Sequence, residues 1–385
     1  MRRNPDRRLQ LGFTLMSAGF VLAACASSPS TPPSATATTH QGGAATTPPG
    51  ASSTSTTVAA GSGVSPLPTS GPLQADAPIA LPFGADRVTA AESPDGAVFA
   101  APQDPTSPAP SIAWVVDGNG PAAIAEHAGT GIAALAADAA NFYVATYSVL
   151  YAYNRSSGNQ VGQWNMPRVN AANSSDENLV SLAAAGGGVL ISVTQGNTVS
   201  VYRVVPSSSA GPRMVVRSLG AAIGSEGSVY YERGDHRLVA LRPSGSNAIG
   251  PLLADRPNGL GGGVQYVNVV AAGAVWVSEP AGQGLDAAYT TYGTGTLAAV
   301  GRYGGSVTSS VADTAAGPLV LEPGGAAVCG QAAPASPASC VLRIDEHGTT
   351  SDPVGVGAAV TLLGPAPAVI ESDTSTGQFD VVRLS

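Results

Sequence analysis

The sequence predicts an all-β protein: a seven-bladed β-propeller of four-stranded antiparallel blades over about residues 77–385. Three observations lead there. A turn residue followed by a short apolar run recurs seven times along the chain. The stretch Asn141–Trp164 reads as three successive strands. Glycine and proline are abundant, at 48 and 31 of 385 residues, which suits many short strands joined by tight turns.

The recurring copies are Gly96–Ala100, Asn141–Ala145, Gly188–Ser192, Gly227–Tyr231, Gly273–Val277, Gly325–Cys329 and Pro367–Glu371. Their starts step by 45, 47, 39, 46, 52 and 42 residues, the uneven steps reflecting loop insertions. A period of 40–50 residues with about four strands per unit is that of a propeller blade. The spacing also admits six or eight blades.

Each copy fills out into a unit. A first, innermost strand is expected at Val88–Ala91, Ile132–Ala136, Leu179–Ala183, Gln265–Val270, Leu319–Leu321 and Val360–Leu363. Third strands are expected at Ile112–Asp117, Val149–Asn154, Val199–Val204, Leu238–Arg242, Leu297–Tyr303, Cys340–Asp345 and Phe379–Leu384. More polar outer strands follow at Ala122–Glu126, Gln160–Trp164, Arg213–Arg217, Ala248–Leu252, Ser306–Val311 and Ser351–Val356. The seventh unit has no outer strand of its own. Pro78–Phe83 is strand-like, unassigned and carries two prolines, as an outermost strand tolerates. Paired with Phe379–Leu384 it would close the ring and leave no open edge.

The clearest unit, Tyr143–Thr146 with Leu150–Tyr153 and Gly158–Trp164, resembles the repeat of quinoprotein-like propellers, with a WD40-like blade length. The recurrent docking tryptophans of catalytic quinoproteins are absent: Trp114, Trp164 and Trp276 fall on third, outer and second strands. The resemblance therefore implies the fold, without quinone chemistry.

The other end of the chain predicts location. Arg2, Arg3, Arg7 and Arg8 precede an apolar run from about Leu9 to Ala24, too short to span a bilayer as a mature helix. The run closes in Leu22-Ala23-Ala24-Cys25, which resembles the lipobox of bacterial lipoproteins. The resemblance implies a signal peptide over residues 1–24 and a diacylglycerol on Cys25. Residues 25–76 are nearly all Ser, Thr, Pro, Ala and Gly, too poor in apolar side chains to offset ordering entropy. They read as a flexible, lipid-anchored tether, holding the domain on the extracytoplasmic side of a cell membrane. Of the remaining cysteines, Cys329 and Cys340 lie on neighbouring strand-like runs and are expected to form a disulfide.

Composition excludes several chemistries. All 17 basic residues are arginine, so Schiff-base lysines and phosphate-loop lysines are ruled out. This bias, with the Ala and Gly content, is similar to that of high-GC actinobacterial proteins. The formal charge of −8 includes a leader of +3, leaving −11 for the mature chain, the wrong sign for nucleic acid. His127, His236 and His347 sit singly in or beside turns and read as solvated, and no metal-ligand spacing occurs. The glycine runs Gly186–Gly188 and Gly261–Gly263 precede no helix and read as turns.

One insertion stands out. Glu279–Gly295 is expected between second and third strands, where it would place Glu279, Asp286, Tyr289 and Tyr292 on a ligand face. Asp176 and Glu177, in the link Asn170–Asn178, should open on the same face. The sequence thus predicts a monomeric, non-enzymatic binding or scaffold module, anchored at Cys25, with no cofactor and an envelope protein or glycan as partner. The alternative is a quinone- or Ca²⁺-dependent oxidoreductase, or a lyase, on the same fold.

Overall fold

The computed structural model describes residues 72–385 except 86, 104–109, 128–130, 167–178, 186, 196–197, 219, 254–266, 279–285, 307–309, 324–338 and 374–375. Its strands form seven antiparallel sheets of four. β1 (Ile79–Gly84) opens the chain of strands. Blade 1 is β2 (Val88–Glu92), β3 (Val98–Pro102), β4 (Ser111–Asp117) and β5 (Gly120–His127). Blade 2 is β6 (Ile132–Ala137), β7 (Asn141–Thr146), β8 (Val149–Asn154) and β9 (Gln160–Asn165). Blade 3 is β10 (Leu179–Ala185), β11 (Gly188–Gln195), β12 (Thr198–Val204) and β13 (Arg213–Ser218).

Blade 4 is β14 (Ala221–Ile223), β15 (Val229–Glu232), β16 (Arg237–Leu241) and β17 (Asn247–Leu252). Blade 5 is β18 (Val267–Ala271), β19 (Ala274–Ser278), β20 (Asp286–Gly293) and β21 (Ala299–Ser306). Blade 6 is β22 (Ser310–Thr314), β23 (Gly317–Pro323), β24 (Ser339–Ile344) and β25 (Thr350–Val356). Blade 7 is β26 (Ala359–Leu363), β27 (Ala368–Asp373) and β28 (Gln378–Arg383), completed by β1 from the other end of the chain.

Because neighbouring strands run antiparallel, the connections divide between two faces. Turns between first and second strands, and between third and fourth, lie on one face, termed here the turn face. Connections from second to third strands, and links between blades, lie on the other, the link face.

The core is not one mass but seven, one at each junction between consecutive blades. Tyr143, Leu150 and Trp164 of blade 2 pack with Val189, Ile191 and Val204 of blade 3. Corresponding clusters join blades 6 and 7, 4 and 5, 5 and 6, 7 and 1, 1 and 2, and 3 and 4. This arrangement explains why the second strands read as unbroken apolar runs. Their side chains alternate, so each strand feeds two junctions at once. Trp276 faces blade 6 while Val275 and Val277 face blade 4. Val320 faces blade 5 while Leu319 and Leu321 face blade 7.

The expected ring closure is present. Ile79 lies opposite Val381, Ala80 opposite Asp380 and Gly84 opposite Gln378. Leu81 is buried at 1 % exposure with Val98 and Ala100 of blade 1 and Phe379 and Val381 of blade 7. The pairing also begins earlier than the sequence suggested. Gln74 exchanges both backbone hydrogen bonds with Ser385, and Asp76 N–H donates to the Arg383 carbonyl. Leu73 is buried between blades 6 and 7. The last residues assigned to the tether thus belong to the propeller.

Blades 5 and 6 require correction. The stretch read as an insertion contains β20, the third strand of blade 5, in register with β19 from Ala274 opposite Gly293 to Ser278 opposite Tyr289. The run Leu297–Tyr303 falls on the fourth strand, and Ser306–Val311 straddles the boundary between blades. Leu319–Leu321 is second, not innermost, because the polar β22 takes the inner place. The sixth copy of the repeat is therefore Gly317-Pro318-Leu319-Val320-Leu321-Glu322, with Gly317 at φ 97° as the Gly of such a turn requires. Gly325–Val328 lies outside the described residues, as does Cys329. Blade 4 has an innermost strand of only three residues, which no run in the sequence marked.

Candidate ligand-binding rim

The second strands end at the link face, and there the apolar runs give way to polar residues. Glu232 and Glu322 occupy the same sixth position of the repeat, in Gly-Ser-Val-Tyr-Tyr-Glu and Gly-Pro-Leu-Val-Leu-Glu. Both are buried, at 3 % and 4 % exposure. A buried carboxylate needs a partner, and each has one. His236 Nδ1 lies 2.7 Å from Glu232 Oε1 across the turn from β15 to β16. The Tyr303 hydroxyl donates to Glu322 Oε1 at 2.5 Å, joining blade 5 to blade 6. Burial first, and then this bond to a carboxylate, push the Tyr303 hydroxyl far above the usual phenol range.

Glu371 works similarly on blade 7. It accepts the Gly357 N–H at 2.6 Å, while the Gly357 carbonyl accepts from Ser339 N–H of blade 6 at 3.0 Å. The link between those blades is held from both sides. Burial raises the Glu371 carboxyl, partly offset by that N–H.

The aromatic residues expected as exposed contacts are elsewhere. Tyr289 is 4 % and Tyr292 9 % exposed. Tyr289 stacks on Tyr303 at 6.4 Å and meets Trp276 edge-on at 6.2 Å. Tyr292 packs on the opposite side, with Tyr230 and Leu297. Three positions apart on a strand, the two rings face opposite junctions. They are core residues, so the expected contact role is corrected. Asp286 opens β20 opposite Ser306 at the link face. Glu279, Asp176 and Glu177 lie outside the described residues. Of the expected ligand-face residues, Tyr289 and Tyr292 are thus not brought together on one face, while Cys25 also lies outside the described residues and Cys340 is buried on β24.

His127 also departs from expectation. At 8 % exposure it is not a solvated turn residue. It sits 4.6 Å from the Tyr151 ring, with Nε2 3.3 Å from the Tyr153 hydroxyl, joining blade 1 to blade 2. Burial lowers its pKa, disfavouring the protonated ring. His236 and His347 are exposed, as expected.

The turn face is sewn together by polar contacts between blades. Arg155 of blade 2 reaches both Asp95 oxygens of blade 1, at 2.7 and 2.8 Å. Arg242 of blade 4 donates to the Thr294 carbonyl of blade 5 at 2.8 Å, and Ala272 N–H of blade 5 donates to Asp313 of blade 6 at 2.6 Å. Arg383 donates to the Val116 carbonyl across the closing seam at 3.3 Å. Beneath it lies Glu92, whose two oxygens have no hydrogen-bond partner among the described residues. No three His, Cys, Asp or Glu side chains converge among the described residues as a metal site would need.

No protein-family model matches this chain, and no curated protein matches it. Among solved structures it is similar to the WD40 domain of coronin from Toxoplasma gondii, at 11 % identity and TM-score 0.53, covering 81 % of this chain and 86 % of that one. It is also similar to the WD40 domain of SCAP from fission yeast, at 9 % identity and TM-score 0.39, covering 81 % and 98 %. At such identities the likeness is one of fold: the chain is a WD40-like seven-bladed propeller.

Proposed function

We propose that this chain is a cell-envelope lipoprotein whose propeller serves as a non-enzymatic binding or scaffold module. One observation carries the second half of that reading. Described polar side chains at the link face join strands and blades, as in Tyr303 to Glu322 and Gly357 to Glu371. Side chains locked into such bonds stiffen a frame on which connections are displayed. The Cys25 anchor and tether would then present that frame outside the membrane, to an envelope protein or glycan.

The anchor is tested by Cys25→Ala, which should leave an unprocessed or mislocalised precursor outside the detergent phase. Partitioning equal to that of the native chain would refute it. The module is tested by crosslinking the lipid-free domain in intact envelopes, where excess unlabelled domain should compete for one partner. Dye reduction with pyrroloquinoline quinone, Ca²⁺ and sugars would contradict a non-enzymatic role.

An exported chain also favours the Cys329–Cys340 disulfide, which closes a short loop. In the chain-entropy picture such a bridge stabilises by roughly 3 kcal/mol. The non-reduced, denatured mature protein should contain no alkylatable thiol. Two alkylated cysteines would eliminate the bridge.

A further inference from the structure

Each blade ends in an outer strand whose far edge has no sheet partner, a row of backbone N–H and C=O groups open to pairing. Bulges blunt all seven of these edges, since every outer strand shifts register against its neighbour. Six carry a second safeguard, a glycine or proline: Pro82 in β1, Pro121 in β5, Gly162 in β9, Pro251 in β17, Gly301 in β21 and Pro353 in β25. β13 contains neither residue and reads Arg-Met-Val-Val-Arg-Ser. Its edge is also bare. Among the described residues, the backbone of residues 213–217 bonds only to β12. The edge of β21, by contrast, receives the turn after β24, where Arg302 N–H donates to the His347 carbonyl at 3.3 Å.

The side chains of this strand suit one kind of partner. Arg213, Met214 and Arg217 are exposed. Arg213 lies opposite Arg203, on the side of the sheet whose Val201 packs against blade 4. Met214 lies opposite Tyr202 and Arg217 opposite Ser200, on the side that faces blade 2. The bulge at Val215 thus sets one arginine on each side. The surroundings are basic and apolar. Residues 179–252, which form blades 3 and 4, hold six arginines against three carboxylates, in a chain of net charge −8. Four of the six large apolar side chains exposed among the described residues, Val205, Met214, Ile249 and Leu252, lie there too.

Two occupants from the protein itself are unsuited to this edge. A second copy paired antiparallel about Val215 would set Arg213 opposite Arg217 at both ends, and like charges so placed repel. The chain before the propeller, residues 26–72, contains no carboxylate and is dense in proline. We propose that β13 takes an extended acidic peptide of a partner protein as a fifth strand of blade 3. The peptide backbone continues the sheet, its carboxylates meet Arg213 and Arg217 on opposite sides, and an apolar side chain rests on Met214. Because the bulge removes one position from the count, those carboxylates sit three residues apart, as in Glu-Val-Val-Glu. The edge lies away from the link face and goes beyond the scaffold reading, so either can fail without the other.

Calorimetric titration of the full chain with the peptide acetyl-TTEVVETT-amide tests this. One peptide should bind saturably per chain. Binding should weaken by about tenfold or more for TTRVVRTT, which reverses the charge. It should weaken as much for TTEPPETT, which keeps the charge but cannot pair as a strand. Arg213→Glu combined with Arg217→Glu, both at exposed positions, should invert the preference toward TTRVVRTT with little change in melting temperature. Amide hydrogen exchange over residues 213–217 should slow when TTEVVETT is bound. Equal binding of TTEVVETT and TTEPPETT would reduce the site to charge attraction and overturn strand addition. So would absence of binding, unchanged exchange, or retention of the native preference in the double variant. Concentration-dependent dimers that protect the same amides without peptide would assign the edge to a second copy, and overturn the proposal as well.

Discussion

Glu92 is a carboxylic acid whose protonation the fold shifts strongly. It ends the innermost strand of blade 1 against the closing seam, with its side chain fully buried and Arg383 Nη1 3.9 Å away. Burial pushes its carboxyl up to about 8 from an ordinary 4.5, and Arg383 only partly offsets this. Asp95, on the same turn, pushes in the same direction as burial. The folded value lies above the unfolded one, so the stability this group contributes is complete below about 4.5 and is lost as pH rises through 8. The loss amounts to a few kcal/mol, since each unit of difference is worth about 1.4 kcal/mol. Glu92→Gln cannot ionise. Its melting temperature should therefore rise relative to the native chain as pH increases from about 4.5 to 8. Parallel pH curves for the two proteins would show that the seam does not desolvate this carboxyl.

At the scale of elements, the turn after β24 is fitted onto the outer strand of the preceding blade. Thr291 donates to the Glu346 carbonyl at 2.7 Å, His347 Nδ1 lies 3.0 Å from the Val300 carbonyl, and Arg302 N–H donates to the His347 carbonyl. Gly301 makes this approach feasible. A Cβ there would lie 2.3 Å from His347 Cα and 2.4 Å from its carbonyl oxygen. Those are backbone atoms, which cannot swing aside. Gly301→Ala should cost about 2–3 kcal/mol in denaturant unfolding. Gly304→Ala, on the same strand with open space around it, should cost far less. Equal losses would mean that the turn does not seat on β21.

The same two blades show where sequence reading stops. Second strands were legible because burial on both sides leaves an apolar run, and β7, β15 and β27 fall within two residues of their expected bounds. β20 was hidden because Ala, Thr and Tyr between glycine-rich flanks resemble a displayed loop as much as a strand. β22, Ser-Val-Ala-Asp-Thr, carries one large apolar residue and sends no periodic signal. At the site, burial rather than composition decided the outcome. Tyrosines chosen as surface contacts are core, and Glu232 and Glu322 were passed over. The shared end of two copies of the repeat could have revealed them.

For the whole molecule, the defining property is that no blade is terminal. Seven junctions carry seven apolar clusters, and the one between blades 7 and 1 includes Leu81, supplied by β1. Were the ring open, that strand's absence would leave β28 as a free edge with Phe379 and Val381 uncovered on one side. The closing strand is thus a latch, made from residues beginning near Leu73. The most direct test removes Leu73–Gly84 and compares thermal unfolding and association state with an equal deletion, Ala45–Thr56, in the preceding Ser/Thr/Pro-rich segment. Loss of the latch should lower the melting temperature sharply and promote edge-to-edge association, while the second deletion leaves both unchanged. Two deletions that melt alike and remain monomeric would contradict the closed propeller.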